Sequence, residues 1–189
     1  VGRRQRLLAS SGLKDYCLRQ EVDLNEAVWL VSPMARAVQS LWQVIAGLRK
    51  LGCEPRQVNL CNEDGMAALD AGSVTGWPLC NVLRLYPQVQ HDTEFAWPGG
   101  ESLCNVQTRA TQCLQQHLLR DTGRVYVAIT HRAVWAALLA PSLDKGLEPG
   151  VLEPALQLAL EPRHARFAAY TFRNPDGYST LLDLTELRG

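Results

Sequence analysis

The chain has 189 residues, 47% of them hydrophobic, enough for one domain with a substantial core and too few for two comfortable ones. Nineteen Lys and Arg balance nineteen Asp and Glu, so no global positive field gathers nucleic acid or an anionic membrane, and any anion site must be built locally. The longest apolar run, the eight residues Ala133 to Ala140, falls well short of the roughly 20 that span a bilayer, and no transmembrane helix is expected.

The opening Val1-Gly2-Arg3-Arg4-Gln5 has neither an initiator Met nor the basic-then-apolar profile of a signal peptide, so the chain reads as the later part of something longer. Ala27 to Val31 is a short run rich in β-branched residues that ends in a polar turn, which predicts a strand. Ser32-Pro33 then supplies an N-cap and a proline suited to the first helical position. Met34, Val38, Leu41, Ile45 and Leu48 mark one face of the helix that follows, to about Leu51. Gln57 to Leu60 predicts another short strand. Asn62 to Pro78, without a sustained period, reads as a long functional loop or a poorly ordered segment.

Ser102 caps a second long helix in which Leu103, Val106, Ala110, Cys113, Leu114 and Leu118 share a face, and Asp121-Thr122-Gly123 ends it. Val125 to Ile129 repeats the strand, turn and helix pattern, with the helix starting near Ala133. Towards the C-terminus lie strand-like runs at Leu156 to Leu160, Ala165 to Phe172 and Thr180 to Leu184. Asn174-Pro175-Asp176-Gly177 gives a hairpin signal between them. Strands alternating with covering helices predict an α/β sandwich with a mostly parallel sheet and an antiparallel C-terminal edge, as a single domain over residues 1–189. The six cysteines, at 17, 53, 61, 80, 104 and 113, form no C-x-x-C pair, and no His stands at metal-ligand spacing. Reduced thiols, a cytoplasmic setting and the absence of a metal or other cofactor are the expectations.

His131 follows a predicted parallel strand and precedes a helix, which is where open α/β sheets place ligands and where backbone N–H groups favour an anion. The same position also suits a buried histidine satisfied by hydrogen bonds. Arg36 falls in the first turn of its helix, where a cation opposes the helix dipole unless an anion pairs with it; a snorkelling surface arginine is the other reading. Glu101, just before the helix of Ser102, is favourably placed beside that helix start and reads as structural. Arg163-His164-Ala165 reads as a turn.

Taken in order, several segments resemble the histidine phosphatase, or phosphoglycerate-mutase-like, superfamily. They are Gly2-Arg3-Arg4-Gln5, Val28 to Ser40 with Ser32-Pro33-Met34-Ala35-Arg36, Leu69-Asp70-Ala71-Gly72, Tyr86-Pro87, Pro98-Gly99-Gly100-Glu101-Ser102, and Ile129-Thr130-His131-Arg132, followed by Leu143-Asp144-Lys145. Within the superfamily the pattern is most similar to the fructose-2,6-bisphosphatase domain of the bifunctional 6-phosphofructo-2-kinase/fructose-2,6-bisphosphatase. The resemblance implies a three-layer α/β/α sandwich and a reaction that passes a phosphoryl group to a histidine and then to water, with a carboxylic acid protonating the leaving oxygen. It makes Arg36 a phosphate-binding arginine and His131 the second histidine, which helps hold the phosphoryl group. It also implies a phosphorylated sugar or other small phosphate ligand, a kinase-like domain upstream, no nucleic-acid or membrane partner, and admits a homodimer.

The chain departs from that pattern at functional positions. The family's nucleophile sits in an Arg-His-Gly motif upstream of the stretch matching Gly2 to Gln5, and His91, His117 and His164 are not in an equivalent context. The family's acid, a Glu, is replaced by Ala68 in Met66-Ala67-Ala68-Leu69-Asp70-Ala71-Gly72, leaving Asp70, Glu63 or Asp64 as the carboxylates that would have to substitute. No Lys or Arg occurs between Arg84 and Arg109, Leu103 stands for an aromatic, and Arg132 and Ala136 stand for a Gln and an Arg. Arg132 adds a charge at the phosphate end. These changes predict a fructose-2,6-bisphosphatase-like domain that is impaired or inactive as a phosphatase and regulatory in role. The alternative is an active phosphomonoesterase using an upstream phosphohistidine.

Overall fold

The computed structural model describes residues 2–120, 125–143, 167–173 and 180–187. The elements run α1 (Gly2–Arg19), β1 (Val28–Val31), α2 (Ala35–Lys50), β2 (Asn59–Asn62), α3 (Leu79–Leu85), α4 (Leu103–Arg120), β3 (Tyr126–Ile129), α5 (Arg132–Leu143), β4 (Phe167–Arg173) and β5 (Thr180–Leu187). Short 3₁₀ turns occupy Asp64–Met66, Gly72–Val74 and Pro87–Gln90. The fold is α/β, and the chain divides into two compact units. One holds Val1–Asp64, Gln115–Ile129 and Arg163–Gly189, the other Gly65–Leu114 and Thr130–Pro162.

In the first unit β1 is central, flanked by β2 and β3 with both pairings parallel. A strand covered on both faces must be apolar throughout rather than alternating, which is why Val28, Trp29, Leu30 and Val31 are all buried. The apolar stripe of α2 supplies Leu41, Val44, Ile45 and Leu48, which form one core with Ala27, Trp29 and Val31. The sequence reading missed α1, because Ser10-Ser11-Gly12 interrupts its middle and weakens the apolar period. Its burial comes instead from Ala9, Leu13 and Cys17, spaced one turn apart on a single stripe that joins the same core. Ser10 Oγ donates to the Val44 carbonyl at 3.1 Å, and Lys14 Nζ donates to the Leu51 carbonyl at 2.9 Å, satisfying an acceptor at the C-terminal end of α2.

Two boundaries differ from the sequence reading. Helix α2 begins at Ala35 with Met34 as its N-cap, not at Ser32-Pro33. The Ser32 N–H donates to the Ile129 carbonyl at 3.0 Å, which holds Ser32 in the sheet, and its hydroxyl accepts from the Met34 N–H at 3.3 Å. Strand β2 lies two residues later than Gln57–Leu60, because register with β1 pairs Val28 with Asn59 and Val31 with Asn62. Antiparallel pairing is present at the C-terminal end of the chain as the two-stranded β4–β5 ladder. Asp121-Thr122-Gly123, the run Leu156 to Leu160, Arg163-His164-Ala165 and the hairpin signal at 174–177 lie outside the described residues.

The second unit packs Met66, Val74, Val82, Val89, Leu103, Val106, Ala110, Val134, Ala136 and Ala137 out of solvent. Helix α4 starts as the sequence predicts: Ser102 Oγ accepts from the Asn105 N–H at 3.1 Å while Asn105 Oδ1 accepts from the Ser102 N–H at 2.9 Å. This is a reciprocal cap with Asn in place of the usual Glu or Gln. Buried Gln107 donates through Nε2 to the Ala137 carbonyl at 2.9 Å, a polar tie between α4 and α5. The short helix α3, absent from the sequence reading, buries little beyond Val82. No described helix is long and apolar enough to cross a membrane.

All six cysteines are free thiols. Burial pushes the Cys17 thiol up from 9.0 to about 11, with Cys53 adding to the rise. The folded chain thus holds this proton more tightly than the unfolded chain, so the contribution is complete below about pH 9 and is lost as pH rises through about 11. Between those values the urea midpoint is expected to fall more steeply in the parent chain than in Cys17→Ala. Parallel pH profiles for the two would contradict this account.

Candidate functional site

In the first unit Val31 and Ile129 are register partners, so β1 and β3 end level. Arg36 follows Val31 by five residues, in the first turn of α2, where its side chain is exposed. That turn contains no acidic residue, so the positive end of the helix dipole and the guanidinium add rather than cancel within the helix. In the same unit His117 Nε2 and Glu63 Oε1 are 2.7 Å apart, and the Tyr126 hydroxyl donates to the His117 carbonyl at 3.0 Å. The His117 and Tyr126 rings lie with centroids 5.7 Å apart. His117 is therefore oriented from both ends, an arrangement its lone position in the sequence did not signal.

In the second unit His131 is half-buried and its carbonyl accepts from the Trp135 N–H at 2.9 Å, which makes it the residue that opens α5. Arg132 is the first residue of that helix and is also half-buried. His131 thus stands at the start of a helix, where the dipole favours an anion. Just before it, Thr130 Oγ1 donates to the Met66 carbonyl at 2.8 Å, tying the approach to His131 to the segment that follows β2.

That segment, expected to be a loop or poorly ordered, is held from two sides. Arg109 on α4 donates from Nε to Glu101 Oε2 at 2.9 Å and from Nη2 to Glu101 Oε1 at 2.7 Å, a two-pronged ion pair. The same guanidinium donates to the carbonyls of Gly65 at 2.7 Å, Ala67 at 2.9 Å and Ala68 at 3.2 Å. Glu101 also accepts the Asp70 N–H at 2.8 Å, and the Glu101 N–H donates to the Asp70 carbonyl at 3.0 Å. Glu101 is structural, as expected, but its partner Arg109 went unnoticed. The signal was a carboxylate just ahead of a capped helix and a guanidinium two turns further on.

Close backbone approach completes the arrangement. Gly72 has φ +55°, and a Cβ there would run into the backbone from Pro98 to Gly100. A Cβ on Gly100 would in turn meet the Asp70 carbonyl. Of the carboxylates near Ala68 in sequence, Asp70 accepts the Gly72 N–H through Oδ1 at 2.8 Å, and Glu63 is paired with His117.

Comparison with known proteins gives these features a context. The family description "Histidine phosphatase superfamily (branch 1)" matches residues 4–154. Phosphoserine phosphatase 1 of Hydrogenobacter thermophilus is 28% identical over 101 residues, covering 49% of this chain and 48% of that protein, so the match spans about half of that relative. Among solved structures, a mycobacterial glucosyl-3-phosphoglycerate phosphatase in complex with inorganic phosphate superposes with a TM-score of 0.65 at 18% identity, covering 96% of this chain and 84% of that one. Bacillus stearothermophilus YhfR superposes with a TM-score of 0.65 at 19% identity, covering 95% and 80%. At these identities the structural likeness is one of fold.

Two substitutions test the packing around this segment. Gly72→Ala forces a side chain into a left-handed backbone and a filled space, and is expected to cost about 2 kcal/mol or more. Thr130→Val removes one hydrogen bond and leaves the Met66 carbonyl without it, at about 1 kcal/mol. Urea denaturation measures both; midpoints equal to the parent's would show the segment to be held otherwise.

Proposed function

This chain belongs to the histidine phosphatase superfamily, branch 1, and on that premise we propose that it binds the phosphate group of a small phosphomonoester and hydrolyses it poorly. His131 and Arg132 at the start of α5 are assigned to the phosphoryl oxygens, and Arg36 carries a likeness to the family's phosphate-binding arginine. The observation that carries the reading is the state of the acid position. Ala68 has no proton to give. Its carbonyl is bound by Arg109, and the nearby Asp70 carboxylate accepts the Gly72 N–H.

Loss of a general acid costs about 10² to 10⁴ in rate. No Arg-His-Gly triplet occurs in residues 1–189, so the covalent step is assigned to no histidine of this chain. The motif likeness to fructose-2,6-bisphosphatase, through Leu69-Asp70-Ala71-Gly72, makes fructose 2,6-bisphosphate the first substrate to try. Phosphoserine is the second, because a phosphoserine phosphatase is among the relatives. A regulatory role beside a kinase-like domain, a dimeric state and a cytoplasmic setting belong to the same reading.

The test is phosphate release by the full-length protein from both substrates. Release is expected to be slow, to vanish in His131→Ala, and to rise about 10²-fold or more in Ala68→Glu, which returns a carboxylic acid to the position. Fast release that is abolished in His131→Ala and unchanged in Ala68→Glu would mean that another group donates the proton and that the protein is an active phosphatase. Release indifferent to His131 would remove the site altogether.

A further inference from the structure

We propose that Arg109, acting with Glu101, is a positioning residue for the His131 site: it fixes the backbone of residues 65–70, and through Met66 and Thr130 that backbone fixes the approach to His131. The inference rests on the phosphate-binding reading of His131 and goes beyond it, because Arg109 touches no proposed ligand.

The argument starts from the donors of a guanidinium. Its five N–H groups form a rigid planar fork, and a fork largely withdrawn from water must find an acceptor in each direction. Arg109 and Glu101 are only 25% and 19% exposed at their side chains. A simple ion pair would use one edge of the fork. Here one edge takes the carboxylate of Glu101, and the remaining N–H groups take the carbonyls of Gly65, Ala67 and Ala68. The carbonyl between them, that of Met66, points instead to Thr130 Oγ1.

Four successive carbonyls are therefore bound by side chains from two places, α4 and the residue preceding His131. Glu101 extends the hold to Asp70 through one side-chain and one backbone hydrogen bond. Such an arrangement is more than an anchor for α4. Moving the fork shifts a backbone that is hydrogen-bonded to the neighbour of His131, and a displacement of about 1 Å in a positioned group can cost about 10²-fold.

The pair can be separated from its charge. Arg109→Lys keeps the cation but not the fork. The exchange Glu101→Arg with Arg109→Glu keeps an ion pair but places acceptors opposite the carbonyls. Orthovanadate, a mimic of the transferring phosphoryl group, is titrated calorimetrically into the full-length protein and its variants, with melting temperatures recorded in parallel. In the parent chain vanadate binds, and in His131→Ala it does not. Arg109→Lys is expected to weaken binding about 10- to 100-fold in a protein that still melts cooperatively, and the exchanged pair is not expected to restore it.

Parent-like affinity in Arg109→Lys, or recovery in the exchanged pair, would overturn the positioning role while leaving the phosphate site intact. Failure of the parent itself to bind vanadate, or undiminished binding in His131→Ala, would overturn the phosphate reading and this inference with it. Should the Arg109 variants not fold, Thr130→Val tests the same path from its other end. A several-fold loss of affinity is then expected, and an unchanged affinity would refute the coupling.

Discussion

A guanidinium removed from most of its water cannot leave its N–H groups unpaired, and the way Arg109 meets that demand shapes everything around the candidate site. Because its fork is planar and rigid, the acceptors come to it. Glu101 on one edge and three backbone carbonyls on the others settle around a fixed template. Carbonyls taken by the side chains of Arg109 and Thr130 are not free for helix or sheet ladders, in keeping with the short 3₁₀ turns that residues 65–72 hold along a defined path. Gly72 and Gly100 are the cost of that path, since the two strands of backbone pass too close for a Cβ on either.

The same hydrogen-bond accounting limits the chemistry. Phosphoryl transfer needs positive groups to hold the oxygens and an acid to release the leaving group. The first requirement has candidates in His131 and Arg132, placed at the start of α5, and in Arg36, at the start of α2. The second has none at residue 68. Asp70 closes a turn on Gly72, and Glu63 orients His117. Each of these hydrogen bonds engages one carboxylate oxygen and fixes where that side chain points. Family membership and the proposed impairment of the acid step are compatible, because an alanine at residue 68 leaves the fold in place while supplying no proton.

Much of this was legible in the sequence, for identifiable reasons. Helices α2 and α4 carry a 3.6-residue apolar period, β1 is a short apolar run buried throughout, and β3 is a second apolar run, half-buried apart from the exposed Ala128. Glu101 and His131 announced themselves by standing at helix starts. What the sequence hid was set by tertiary contact. Helix α1 owes its stability to Ala9, Leu13 and Cys17 packing on α2, not to its own period. The start of α2 moved because Ser32 is held by Ile129 in the sheet. The carbonyls of Gly65 and Ala67 are held by Arg109, 44 and 42 residues further along the chain, whose place two turns after Glu101 the sequence reading passed over.

The central claim is that His131 faces a phosphate ligand, and the most direct measurement is to watch its imidazole while orthovanadate is added. In an NMR titration of histidine-labelled protein the account predicts that the His131 ring resonances shift saturably, while those of the exposed His91 stay in place. Resonances of His131 that do not move, or that move no more than those of His91, would contradict it.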